Sequence, residues 1–160
     1  MADPFDAIRS LLKSERYAEA LEHVYDRRGD RIRAPFHHDL NRAWYIVADI
    51  FFKQDLFARS KTAFERSLLE HPNDVEALLG FAHACAELHH YAASERALRL
   101  ALEENPFDDR VLYSLANILF DNERYEEAIS LYERLISVGS RLSPGARKNL
   151  RLAVSQMRTG

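Results

Sequence analysis

The side chains best suited to chemistry in this chain are seven histidines, one cysteine and one tryptophan. Their spacing argues against a catalytic or metal centre. His37-His38 and His89-His90 are adjacent pairs. Neighbours on a helix diverge by about 100°, so such a pair is a poor chelate. Both pairs also fall where turns or loops are expected, and they read as solvated turn histidines. His83 and His89 stand six apart, which is not a same-face helical spacing. Cys85 reads as a small buried thiol facing a neighbouring helix. As a lone cysteine it can form no internal disulfide, which is compatible with a reducing compartment. Trp44 reads as a packing residue rather than a platform for a ligand. The glycines are scattered, so no phosphate-cradling loop is formed. There is no nucleophile elbow, Cys-x-x-Cys or His-Glu-x-x-His either. The expectation is a non-enzyme with no catalytic residue, no metal and no cofactor.

Composition points the same way. The chain has 160 residues, 47% apolar and 29% charged, which suits one soluble array or domain with a sizeable core. Five glycines and five prolines are too few for a turn-rich β protein and suit helices joined by short turns. A net charge of −3 gives no reason to expect nucleic acid. Charge breaks every apolar stretch well short of a membrane span. The opening Met-Ala-Asp-Pro-Phe-Asp has neither the basic nor the apolar region of a secretory signal. A cytoplasmic location is expected.

The elements that must position any functional face emerge from self-similarity. Residues 1–34, 41–74, 75–108 and 109–142 align with a period of 34. The seventeenth column reads Tyr17, Phe57, Tyr91, Tyr125. The twentieth reads Ala20, Ser60, Ser94, Ala128, and the eighth Ile8, Ala48, Ala82, Ala116. The twenty-fourth reads Val24, Phe64, Leu98, Tyr132. Pro72 and Pro106 close the two inner repeats, each stopping a helix and restricting the residue before it. Small residues let two antiparallel helices approach closely. The ring at column seventeen opens the second helix. One such pair cannot bury its apolar face alone, so stacked pairs make the core.

These columns resemble the tetratricopeptide repeat family. Residues 41–74 carry the resemblance most fully, with Trp44, Val47, Ala48, Phe51, Phe57, Ser60, Phe64, Ser67 and Pro72 where the family signature expects them. Residues 75–108 and 109–142 follow. The resemblance implies an all-α fold, a right-handed α-α superhelix of about four helical hairpins. Residues 1–34 form an atypical first repeat, and residues 29–40 an irregular connector. The glycine common in the turn inside each repeat is replaced by Glu15, Asp55, His89 and Glu123.

In chain order, Asp3 and Pro4 open a first helix running to about Lys13. A second, Tyr17–Arg28, places Tyr17, Leu21, Val24 and Tyr25 on one face. Helix pairs follow at about Leu40–Lys53 with Phe57–Glu70, Asp74–Glu87 with Tyr91–Glu103, and Asp108–Asp121 with Tyr125–Val138. Ser143-Pro144 signals entry to a last, capping helix over residues 143–158. Leu150, Val154 and Met157 form its apolar stripe, with Ala146 and Ala153 beside it. Residues 141–160 hold five Lys/Arg and no acid.

In proteins of this resemblance the first helices line a concave groove that receives a peptide. The corresponding positions here include Arg42, Tyr45, Asp49, Phe52, Lys53, Leu79, His83, Arg110, Tyr113, Asn117 and Phe120, with Arg9 and Lys13 from the first repeat. Tyr45, Phe52, Tyr113 and Phe120 are rings at columns that packing a repeat does not require, and arginines stand near them, as at interface hot spots. The alternative is that these rings pack on each other or on the connector. The reading is an adaptor or scaffold that binds a protein or peptide with apolar and acidic residues, with no nucleic acid and no membrane span. Two alternatives are a chaperone resembling type III secretion translocator chaperones and a self-assembling structural protein that forms homo-oligomers.

Overall fold

The structure, a computed structural model, describes residues 3–159 and divides into two compact units, residues 1–80 and 81–160. The first contains α1 (Pro4–Lys13), α2 (Tyr17–Val24), β1 (Tyr25–Asp26), β2 (Arg31–Ile32), a 3-10 segment (Ala34–Asp39), α3 (Leu40–Lys53) and α4 (Phe57–Glu70). The division falls within α5 (Val75–Glu87). The second unit continues with α6 (Tyr91–Glu104), α7 (Asp109–Asp121), α8 (Tyr125–Ser137) and α9 (Ser143–Thr159).

The first helix of each pair opens on an aspartate. Asp3, Asp39, Asp74 and Asp108 each accept a backbone N–H from the first turn of α1, α3, α5 and α7, at 3.0 Å in every case. The second helices have no side-chain cap; α2, α4, α6 and α8 start from Arg16, Leu56, His90 and Arg124. They need none, because each begins directly out of a tight turn. In those turns Glu15, Asp55, His89 and Glu123 sit at φ of 56°, 57°, 58° and 60°, the left-handed region. The next residue donates its N–H five positions back, as Leu56 does to Phe51 (2.9 Å) and Arg124 to Leu119 (2.8 Å). This is the Schellman closure of a helix C-terminus, usually built on glycine. Among the described residues glycine fills that place after α8, at Gly139, φ 69°.

Close approach of paired helices rests on the small columns. Ser60 Oγ donates to the Ala48 carbonyl (2.9 Å), and one period later Ser94 Oγ donates to that of Ala82 (2.8 Å); both serines are fully buried. In the first unit Ile8, Ala20, Leu21, Val24, Val47 and Ile50 are fully enclosed. In the second, Cys85, Leu98, Val111, Tyr132 and Leu135 are. Gly80 serves packing: a Cβ on it would stand 2.2 Å from the Phe64 ring.

Two expectations are corrected. Helix α2 stops at Val24 instead of reaching Arg28, because Tyr25–Asp26 pairs antiparallel with Arg31–Ile32 and Arg33 takes the Val24 carbonyl (3.0 Å). Tyr25 leaves the helix and turns its ring edge-on to Trp44 and Phe51. Helix α9 buries Ala146 and Ala153, half-buries Leu150 and Val154, and leaves Leu152 and Met157 exposed, so its seam is the alanine side of the expected stripe. Helix α9 begins at Ser143, whose hydroxyl donates back to the Leu135 carbonyl (3.2 Å), while Ser140 Oγ accepts the Leu142 N–H (3.1 Å).

Two substitutions test this packing. Asp55→Gly and Glu123→Gly each relieve a side chain in the left-handed region, a strain of ~1–2 kcal/mol that exceeds glycine's added chain entropy. Each is expected to raise Tm by about 1–4 °C in a thermal melt; a fall in both would contradict the turn geometry. Gly80→Ala is expected to cost about 1–3 kcal/mol in urea unfolding through collision with Phe64, although alanine is the better helix former.

Candidate protein-interaction surface

The first helices carry the expected contact residues, and the structure gives most of them a partner. In the first unit, Arg42 lies over the Phe5 ring (4.0 Å) and reaches Asp3 (3.3 Å), so it ties α3 to α1. Arg9 pairs with Asp6 (2.9 Å), and Lys53 pairs with Asp49 one turn back. Lys13 is exposed, and Leu79 is buried. In the second unit, Arg110 pairs with Asp108 (2.8 Å), which caps its own helix, and keeps about half of its side chain exposed. That bond holds the Asp108 carboxyl below the usual range. His83 is exposed overall, with Nε2 at 2.9 Å from Ser114 Oγ. Desolvation by the surrounding protein lowers its pKa against the opposing pull of Glu87.

The four rings read as surplus to packing turn out to be packed. Tyr45 meets Phe64 edge-on at 5.7 Å and Phe52 meets Phe57 at 5.2 Å, each ring of α3 against one of α4. Two periods later the pattern recurs between α7 and α8, with Tyr113 on Tyr132 at 6.2 Å and Phe120 on Tyr125 at 5.4 Å. Edge-to-face pairs at such separations stabilise beyond their buried area. The partner rings on the second helices support these side chains from within. All four remain half-buried, and Tyr113 is partly covered by α9, where Asn149 donates to its hydroxyl and Gly145 lies against it.

Asn117 is committed to the fold. Its Oδ1 accepts from the Tyr132 hydroxyl (2.7 Å) and from Asn149 Nδ2 (3.0 Å). Asn149 also donates to the Tyr113 hydroxyl (3.3 Å), so one amide on α9 ties down α7. Sequence reasoning missed Asn149. A polar residue between Ala146 and Ala153 on a buried helix seam was the available signal. Burial pushes the Tyr132 hydroxyl up to about 12, an effect the bond to Asn149 opposes.

The paired histidines support local backbone. His37 Nε2 donates to the Ile32 carbonyl (2.8 Å) and His38 Nδ1 to that of Pro35 (3.1 Å), buttressing the connector. Among the described residues no three His, Cys, Asp or Glu side chains are placed to hold a metal ion. No helix among them is long and apolar enough to cross a membrane.

A family model described as tetratricopeptide repeat matches residues 47–108 and 79–147, well over half of the chain. No curated protein matches the sequence. Among solved structures, MamA from AMB-1 is 23% identical, with a TM-score of 0.72 over 96% of this chain and 80% of its own. A MamA double mutant from RS-1 is 17% identical, with a TM-score of 0.81 over 98% and 86%. YrrB, a tetratricopeptide-repeat protein with an unusual peptide-binding site, is 13% identical, with a TM-score of 0.78 over 97% and 76%. At these identities the likeness speaks for the fold.

The Tyr132 network gives a pH test. Between the ordinary tyrosine pKa near 10 and about 12, the unfolded chain releases a proton that the folded chain keeps. This contribution to stability is therefore present below that window and lost as pH rises through it. Urea titrations across it are expected to show a shallower stability loss for Tyr132→Phe than for the parent. Equal slopes would remove Tyr132 as the group responsible.

Proposed function

Because the chain belongs to the tetratricopeptide-repeat family, whose repeats are generally non-catalytic protein-interaction modules, we propose that it is a cytoplasmic adaptor that binds a peptide along its first helices. The observation that carries this reading is the recurring ring pair. Tyr45 and Phe52 on α3, and Tyr113 and Phe120 on α7, are each braced by a second-helix ring and remain half-buried. A rigid, partly exposed ring loses little entropy on binding, which is why aromatic anchors dominate interfaces.

The charge around these rings suggests the peptide's chemistry. Arg9, Lys13 and Arg110 are exposed on first helices, Arg9 also pairing with Asp6 and Arg110 with Asp108 on their own helices or caps. Asp49 and Lys53 neutralise each other. The occupant is accordingly a segment with apolar residues to meet the ring edges and acidic residues to meet the cations. Leu79, His83 and Asn117 fall at the expected columns but contribute less, being buried, bonded to Ser114 and bonded to Tyr132 respectively. The secretion-chaperone and self-assembly alternatives draw no support from the fold matches.

Peptide display on the immobilised chain tests the proposal. Selected sequences are expected to combine apolar and acidic residues, and their affinity to fall by about tenfold, or ~1.4 kcal/mol, in Arg110→Ala and in Phe120→Leu. The leucine keeps an apolar side chain against Tyr125, so folding is preserved. Selected peptides that bind both folded variants as tightly as the parent would reject the first-helix face.

A further inference from the structure

The first unit holds a recess that the proposed peptide face does not use. It lies among the β1–β2 hairpin, α3 and α4, with a volume of about 630 Å³. That is within the range of small-ligand and side-chain pockets and far larger than one anion requires. Its floor is aromatic: Tyr25 stands edge-on to Trp44 at 6.0 Å and to Phe51 at 5.9 Å. Its rim is cationic, formed by Arg27, Arg59 and Arg66.

The three arginines are not equivalent. Arg66 is committed: it grips Asp30 with both terminal nitrogens (2.5 and 3.0 Å) and lies over the Trp44 ring at 4.5 Å. Asp30 also accepts the Tyr25 hydroxyl (2.6 Å), and the Arg66 bond holds its carboxyl below the usual range. Asp30 is the one carboxylate lining the recess among the described residues, and Arg66 neutralises it. Arg27 and Arg59 have no carboxylate partner among the described residues. Arg59 only overhangs the Phe51 ring at 5.9 Å. Two guanidinium groups thus stand uncompensated over an apolar floor, in a chain whose net charge is −3. Guanidinium forks are built to grip carboxylates by two parallel bonds.

We propose that this cleft is a second docking site, for a peptide segment in which an aromatic side chain is flanked by carboxylates. The ring enters against Tyr25 and Phe51, and the carboxylates engage Arg27 and Arg59. A nucleic acid strand is disfavoured because the Arg66 guanidinium covers the Trp44 face on which a base would stack. The hairpin that corrected the expected end of α2 supplies Tyr25, Arg27 and Asp30, so the irregular connector region builds this site.

Trp44 is the only tryptophan in the chain and lines the cleft, so its emission reports occupancy directly. The full chain is titrated with acetyl-Glu-Glu-Phe-Glu-Glu-amide. A saturable change in emission is expected, weakened at least ~tenfold in the Arg27→Glu/Arg59→Glu double variant. Arg59→Ala alone is expected to weaken it as well. Both arginines are exposed, so the variants are expected to keep the parent's far-ultraviolet circular dichroism. The proposal is overturned by no saturable response, or by unchanged affinity in both variants. An equal response to acetyl-Lys-Lys-Phe-Lys-Lys-amide, to inorganic phosphate or to oligouridylate overturns it too. Loss of binding in Arg110→Ala with retention in the double variant assigns the peptide to the first-helix face and likewise overturns it.

Discussion

Within every helix pair the chain reverses in three residues, and it does so by placing the middle one in the left-handed region. Glu15, Asp55, His89 and Glu123 take that conformation although none is glycine. The backbone bonds that follow are nearly uniform, at 2.8–2.9 Å from Arg16, Leu56, His90 and Arg124 back to the residue five positions earlier. The turn satisfies carbonyls that a helix end leaves open and starts the next helix without a side-chain cap. Everything that distinguishes the two helices of a pair depends on it. With the reversal fixed, column twenty must face column eight, so only Ala or Ser fits, and the serines find a carbonyl to bond.

The same reversal decides the fate of the rings. A residue at column twelve lies beside column seventeen across the turn, and column five beside column twenty-four. Phe52 therefore meets Phe57, and Tyr45 meets Phe64, inside one pair. Packing and recognition are not alternatives at these positions. Each ring braces its hairpin and stays half-buried. Rigidity of this kind lowers the ordering cost of binding.

Much of the fold was legible because the period of 34 repeats side-chain size at fixed columns. Helix bounds follow from the Asp caps and prolines, and His71 and Asn105 adopt the same extended backbone before Pro72 and Pro106. Taken one column at a time, Tyr45, Phe52, Tyr113 and Phe120 leave two readings open, rings for a partner or rings packed on their neighbours. Read as pairs, the columns carry the signal: rings at five and twelve occur where twenty-four and seventeen also hold rings. In residues 75–108 the matching positions are Leu79, Leu98, Ala86 and Tyr91, and the double pairing disappears. The β1–β2 hairpin was hidden because two-residue strands are too short to show alternation. The cleft it forms with Trp44 and Arg59 joins residues far apart in sequence, which no local pattern records.

The account stands on the first helices being the surface that receives a partner. Nuclear magnetic resonance mapping with a saturating, display-selected peptide addresses this directly. The account predicts that the largest chemical-shift changes fall on α3 and α7, centred on Phe52 and Phe120, while the exposed residues of α4, α6 and α8 stay unmoved. Changes concentrated on those second helices, with α3 and α7 silent, would contradict it.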